Sequence, residues 1–255
     1  MTELKLIDTH AHMCDPVFDG DRKAVLQRAV STGVSAIIAV GETLADAARN
    51  LALSEEHPLL RPAAGLYPAQ IDPGQGEAII DLIRKERRRF YAIGEVGLDH
   101  WVIKAESDLA VQKEIFSRFI DLSLELDLPL NVHSRSAGRH AVSLLLEKGA
   151  RKVQLHAFDA KASAALPAVE AGYFFSIPPS VVRSVQKQKL VKHLPLSCLL
   201  IETDSPVLGP EPGLRNEPAH LKTVVSAIAA LKQVPEAQVV EQVLENTRRL
   251  YGDDF

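Results

Sequence analysis

The chain contains eight short apolar or alternating segments, and amphipathic helical patterns separate them. Each segment is short and is bounded by Gly, Pro or charged residues, which is typical of a β-strand. We predict strands over residues 4–10, 35–41, 60–67, 90–96, 129–135, 152–158, 173–178 and 199–206. Because strands that alternate with helices form parallel βαβ units, the order of the elements indicates an α/β fold.

Helical stripes fill the intervals between the strands. Over residues 112–126, apolar side chains recur at steps of three and four, which predicts a helix facing a core. A similar stripe consists of Val25, Leu26, Ala29 and Val30, and Gly33 follows it as a helix stop. Eight strand–helix units in 255 residues leave about 32 residues for each, the size of a βαβ unit. We therefore predict a (β/α)8 TIM barrel that occupies residues 1–255 as a single domain.

Composition narrows the possible functions. With 46% hydrophobic and 24% charged residues, the chain can bury a core, which excludes disorder of the bulk. It has no apolar run near the roughly 20 residues of a membrane span and no apolar leader, and its two cysteines favour a reducing, cytoplasmic setting. The net charge of −4 argues against a nucleic-acid coat protein. It argues less against an enzyme whose metal ions bind the phosphates.

Histidine and acidic residues lie where five of the predicted strands end. Catalytic residues of TIM barrels occupy these carboxyl ends. The residues are His10, His12, Glu95, His133, His156 and Asp204. Side chains alternate along a strand, so His10 and His12 lie on the same side and can bind one ion. Histidines of neighbouring strands can bind a second ion, and a carboxylate can bridge the two. One such histidine alone could be an ordinary polar residue, but all six at one rim favour a metal site for Zn²⁺, Mn²⁺ or Fe²⁺.

Several motifs together resemble the TatD-type metal-dependent deoxyribonucleases, which have amidohydrolase-like barrels. The matching segments are IDTHAH at 7–12, GEVGLD at 94–99, PLNVHSR at 129–135, HAF at 156–158, ETDSP at 202–206 and RNEP at 215–218. The second and fifth are the specific ones. The resemblance extends over nearly the whole chain.

This resemblance implies a two-metal phosphodiesterase. One ion would be held by His10, His12, Glu95 and Asp204, and the other by Glu95, His133 and His156, with Glu95 as the bridge. Mg²⁺ is the ion that the family implies, whereas the histidines suit Zn²⁺ or Mn²⁺. Asp204 and Glu95 would be the catalytic residues, with Asp204 as general base toward a water activated by the metals.

Four further residues are candidates for substrate binding. Arg135 follows His133 by two positions and is placed to bind a phosphate; its alternative is a surface ion pair. Arg215 and Asn216 lie in the loop after strand 8, where barrels often bind phosphate, but Asn216 also fits a helix start. Trp101 could stack on a base, or it could pack within its loop.

The leading functional hypothesis is a 3′–5′ exodeoxyribonuclease that binds DNA transiently as its substrate, acts as a monomer and has no membrane partner. The first alternative is a binuclear hydrolase of small esters, lactones, amides or aminoacyl-tRNA esters. Barrels of that kind often bridge their metals with a modified lysine at strand 4, so Glu95 at that position favours phosphodiesters. The second alternative is a non-catalytic binding protein stabilised by metal. The basic run at 84–89 is expected at the opposite end of the barrel, facing solvent.

Overall fold

The computed structural model describes residues 5–255, and eight strands in this part of the chain form one sheet. The strands are β1 (Leu6–Ala11), β2 (Val34–Ala39), β3 (Leu60–Ala64), β4 (Ala92–Gly97), β5 (Leu130–His133), β6 (Val153–Leu155), β7 (Phe174–Ile177) and β8 (Leu199–Ile201). All eight predicted strands are therefore found. The predicted start of the first strand, Leu4, lies outside the described residues.

Helices follow the strands in the expected alternation. They are α1 (Arg22–Ser31), α2 (Leu44–Glu56), α3 (Pro73–Lys85), α4 (Glu106–Leu126), α5 (Gly138–Glu147), α6 (Ala162–Glu170), α7 (Val185–His193), α8 (Leu221–Lys232) and α9 (Glu236–Tyr251). Gly33 follows α1 with a φ of +93°, as its place after the helical stripe predicts. The helix that contains the 112–126 stripe begins earlier than that stripe, at Glu106.

The sheet is parallel and its strands lie in sequence order, from β1 to β8. Two backbone hydrogen bonds join its ends: the Asp204 N–H donates to the His10 carbonyl, and the His12 N–H donates to the Ser205 carbonyl, each over 2.8 Å. The predicted (β/α)8 barrel is confirmed. Because parallel strands share one direction, their carboxyl ends all lie at one rim.

Several details differ from the predictions. Strand β3 ends at Ala64 and β6 at Leu155, each three residues earlier than predicted. Strand β8 ends at Ile201, whereas the predicted segment continued to residue 206. The residues after Ile201 are buried, and Glu202 and Asp204 still donate backbone hydrogen bonds to β7 and β1, but Asp204 has a φ of +56°, which ends the extended conformation. In α1, Val30 is 57% exposed, so the core-facing stripe is narrower than predicted.

The apolar core lies inside the barrel and between the barrel and its helices. The basic run at 84–89 precedes β4, at the amino end of the strands. Arg84 pairs with Glu125, and Arg87 donates to the Leu126 carbonyl. Among residues 5–255, no helix is both long enough and apolar enough to cross a membrane.

Candidate metal centre

The structure brings the six histidine and acidic residues predicted from the sequence together in one cluster at the carboxyl rim. They are His10 and His12 at the end of β1, Glu95 in β4, His133 at the end of β5, His156 after β6 and Asp204 after β8. Each is buried or nearly so. Water cannot solvate these groups fully, so they need one another or a cation as partners.

Four polar atoms form the first half of the cluster. The Nε2 atoms of His10 and His12 lie 3.2 Å apart, and each lies 3.4 Å from Oδ1 of Asp204. Oε2 of Glu95 is 3.4 Å from the His12 nitrogen and 3.7 Å from the His10 nitrogen. Four ligands held tetrahedrally at Zn–N and Zn–O bond lengths lie about 3.3 Å from one another. The same bond lengths in an octahedron would place adjacent ligands about 2.9 Å apart. The observed separations of 3.2–3.7 Å are near these values, so the residues fit a divalent ion.

The second half of the cluster shares Glu95. Its other oxygen, Oε1, lies 2.6 Å from Nδ1 of His133 and 3.7 Å from Nε2 of His156. Ligand atoms of these three residues lie within 4.8 Å of one another, and the same holds for His10, His12 and Glu95. Glu95 is thus common to two groups that could each hold an ion.

Other polar side chains fix the orientation of three imidazoles. Nδ1 of His10 donates to Oδ1 of Asn131 over 2.8 Å, and Nδ1 of His156 donates to Oε2 of Glu202 over 3.0 Å. Both rings therefore direct Nε2 to the cluster. Nε2 of His133 donates to Oδ2 of Asp99 over 3.1 Å, which leaves Nδ1 facing Glu95. Such partners orient metal-binding histidines and raise their basicity.

The electrostatics of the cluster are those of closely paired opposite charges. Burial by itself raises the pKa of Glu95, but the charge of His133 and a hydrogen bond with His12 lower it well below its usual value. Burial likewise raises the pKa of Asp204, and the charge of His156 and hydrogen bonds with neighbouring histidines bring it below its usual range. Both carboxylates are consequently ionised at neutral pH, as metal ligands must be.

A cavity of about 410 Å³ opens above the cluster. Its wall includes Tyr67, Arg135 and Lys187. The Arg135 guanidinium lies 5.2 Å from the ring centroid of Trp101, which is 60% exposed. A cation of the cavity wall and an exposed aromatic ring therefore adjoin each other.

The other two predicted substrate residues make local contacts. Arg215 forms an ion pair of 2.5 Å with Asp21. The amide of Asn216 is buried and donates to the carbonyls of Thr203 and Val207. Within the described residues, both side chains are engaged in local contacts, and neither lines the cavity.

Sequence reasoning gave no role to several residues of the site. Asn131 precedes His133 by two positions and so lies on the same side of β5, which is a signal that could have identified it. Glu42, whose carboxylate lies 3.8 Å from Nδ1 of His12, comes from the loop after β2. Lys187 reaches the cavity from α7, and no sequence pattern marks it.

A (β/α)8 barrel with a histidine–carboxylate cluster at its carboxyl rim defines the class of metal-dependent hydrolases. Residues 7–252 match the family described as TatD related DNase. The human protein named deoxyribonuclease TATDN3 is 42% identical over 258 residues, with 96% of this chain and 94% of that protein covered. The metal-dependent hydrolase YabD of Bacillus subtilis is 34% identical, with 96% and 98% covered.

The fold agrees with that assignment. The crystal structure of YjjV, a TatD homologue from Escherichia coli, superimposes with a TM-score of 0.90 at 28% identity, and covers 97% of this chain and 98% of that one. The chain belongs to the TatD family of metal-dependent hydrolases.

Proposed function

We propose that this protein is a deoxyribonuclease that hydrolyses DNA phosphodiester bonds with two divalent ions. The two overlapping sets of ligand atoms that share Glu95 support the proposal most directly. The names of the relatives add the substrate, since the human relative is named a deoxyribonuclease. The proposed ligands are His10, His12, Glu95 and Asp204 for one ion, and Glu95, His133 and His156 for the other.

The ligand chemistry bears on which ion is used. Each set combines two imidazole nitrogens with carboxylate oxygens, from two acids in the first set and from one in the second. We therefore place Zn²⁺ and Mn²⁺ alongside the Mg²⁺ that the family implies. A divalent ion held by these residues would lower the pKa of a bound water molecule and would neutralise charge on phosphate oxygens.

The protein's own residues would contribute proton transfer and positioning. Asp204 faces the cavity and is ionised at neutral pH, so its carboxylate can accept a proton from the attacking water. Glu95 would be a ligand in both sets and so would fix their relative position. Arg135, in the cavity wall, would contact a phosphate, and Trp101 beside it would stack on a base.

A cavity of this size suits the end of a strand better than a duplex, since about 300–1,000 Å³ is typical of pockets for small ligands. This supports stepwise removal of nucleotides, which we propose runs from the 3′ end. We also propose that residues 1–255 act as one catalytic domain, because ligands from five strands of one sheet meet in the site. A monomer and a cytoplasmic location stay predictions.

The test is degradation of single-stranded DNA labelled at its 5′ end, by protein freed of metal and resupplied with Mg²⁺, Mn²⁺ or Zn²⁺. We expect a ladder of shortening products with wild type. Glu95→Ala should lose metal and activity together because one carboxylate serves both sites. Asp204→Asn should lose far more rate than metal.

Glu56→Ala is the matched control, since Glu56 is an exposed acid on α2, and it should behave as wild type. Metal content is measured by elemental analysis of each variant. Immediate loss of the label would overturn the 3′–5′ direction. Intact DNA in every lane, with metal bound, would overturn the nuclease and favour small esters, lactones or amides as substrates.

A further inference from the structure

Lys187 brings a second cation to the cavity, on the other side of His156 from Arg135. Arg135 follows β5, His156 follows β6, and Lys187 lies in the first turn of α7, which follows β7. Both cationic side chains line the cavity together with His156 and Asp204.

The Lys187 ammonium has few protein partners. Its Nζ donates one hydrogen bond of 3.0 Å, to the Ala157 carbonyl. An ammonium has three N–H donors. Within residues 5–255, no carboxylate oxygen forms an ion pair with it, whereas Lys148 and Lys152 pair with aspartates. Lys187 is half-buried, so water satisfies its remaining donors only in part.

A nearby carboxylate that could have neutralised Lys187 is engaged elsewhere. Asp159 also lines the cavity, but its Oδ1 accepts from the Gln186 side chain over 2.9 Å. Its Oδ2 accepts from the Ser136 N–H over 3.2 Å. The charge of Lys187 is therefore left for a ligand.

The backbone around Lys187 holds it in place. The hydroxyl of Ser184, at the start of α7, accepts from the Lys187 N–H over 3.3 Å. Gln186 ties the same turn to the loop after β6 through Asp159 and the Ala160 carbonyl. The loops after strands 7 and 8 are where TIM barrels often bind phosphate.

We infer that Lys187 is a substrate-binding residue that contacts a phosphate next to the scissile one, with Arg135 on the opposite side of His156. The inference rests on the proposed nuclease function. It assigns a phosphodiester chain of at least two linkages as the preferred substrate, because a second phosphate supplies the charge that Lys187 would bind.

The test combines variants with modified DNA. Lys187→Met removes the charge at similar length, and Lys187→Arg restores it. Lys189→Met removes one charge from an exposed position of the same helix and is the matched control. The substrates are single-stranded oligonucleotides in which one linkage at a time, counted from the cleaved end, is a neutral methylphosphonate.

We expect Lys187→Met to raise KM for unmodified DNA roughly 10- to 100-fold, because the substitution removes a charge-assisted contact. The change in kcat should be much smaller. The plot of log(kcat/KM) against log[salt] has a negative slope, which should become less negative by about 0.7, the value for one phosphate contact on a single strand. Lys187→Arg should recover most of the loss, and Lys189→Met should match wild type. Binding measured by fluorescence anisotropy in the Asp204→Asn background should show the same ranking.

The modified strands separate a direct contact from a structural role. At the linkage that Lys187 contacts, the methylphosphonate should raise the KM of the wild-type enzyme. On that same substrate, Lys187→Met should cause no further rise in KM. The effects of the substitution and of the methylphosphonate on KM could instead multiply at every linkage, or the salt slope could be unchanged in Lys187→Met. Either result would contradict the inference about Lys187 but not the proposed nuclease function. If wild type leaves unmodified DNA intact, the nuclease proposal and the inference both fail.

Discussion

Each of three histidines in the cluster has one ring nitrogen held by a polar side chain from another strand or loop. Asn131, Glu202 and Asp99 are these partners. The sequence places Glu202 and Asp99 near predicted ligands, and acids near a metal site commonly orient its histidines. It does not predict which ring nitrogen each partner takes, since that depends on how two distant segments approach each other.

The residue with the clearest pH consequence is His133. Burial by itself lowers the pKa of His133, but the Glu95 and Asp99 carboxylates raise it, to about 9 in the metal-free protein. Its value in the unfolded chain is about 6.5. The charged ring therefore stabilises the metal-free fold fully below about pH 6.5, and this stabilisation is lost as the pH rises through 9.

Metal binding should depend on pH in the opposite direction. An ion needs the neutral ring, so it must displace a proton at pH 7. We expect the affinity for Zn²⁺ or Mn²⁺ to rise by about tenfold per pH unit for that proton between pH 7 and 9. Titration calorimetry in buffers of different ionisation enthalpy measures the proton release. His57→Gln, remote from the cluster, is the control and should keep the dependence; an affinity independent of pH would contradict the assignment of His133 as a ligand.

At the scale of elements, the approach of β4 to β5 sets the distance between Glu95 and His133. Gly97 ends β4, pairs with His133 and has a φ of +145°. A Cβ at this position would lie 2.1 Å from the His133 carbonyl oxygen. The GEVGLD motif therefore contains a glycine that the strand spacing requires.

Gly97→Ala should cost about 3 kcal/mol or more in the free energy of unfolding, because it adds a backbone clash to an unfavourable φ. It should also weaken metal binding, since His133 must move. Gly149→Ala is the control: Gly149 has a φ of +69° with no atom within 4 Å of a Cβ, so it should cost only about 1–2 kcal/mol. Chemical denaturation measures the free energy of unfolding of both variants. Equal losses of stability in the two variants would contradict the close approach at Gly97.

The end of β8 shows why element boundaries were harder to predict. Glu202, Thr203 and Asp204 are buried, as strand residues would be, yet the strand stops at Ile201. Burial of these residues comes from the loop, in which Thr203 hydrogen-bonds to the Asp8 carboxylate. Backbone hydrogen bonds to β7 and β1 continue at Glu202 and Asp204, but the positive φ of Asp204 ends the extended conformation, and a pattern of burial does not report φ.

For the whole molecule, the proposed ions would connect strands from both halves of the barrel. A ligand that binds only the folded state stabilises it by about 2.7 kcal/mol at 100 times its Kd. For a domain of this size, that corresponds to a rise in Tm of about 5–10 °C.

Removal of metal by a chelator should therefore lower the Tm by about this amount, and added Zn²⁺ or Mn²⁺ should restore it. Differential scanning calorimetry measures the change. Glu95→Ala should lose the metal-dependent rise in Tm, whereas Glu56→Ala should keep it. A Tm that is insensitive to metal in wild type, at saturating metal, would contradict an intact metal site.

The sequence by itself determined the barrel and the six residues at its rim. It did so because hydrophobic period and strand–helix alternation are local properties, and parallel strands bring all their carboxyl ends to one side. Only the tertiary structure decided the orientation of the rings, the placement of Asn131 and Lys187, and the local contacts of Arg215. These depend on pairs far apart along the chain, such as His10 and Asn131 at a separation of 121 residues, whose meeting no local pattern records.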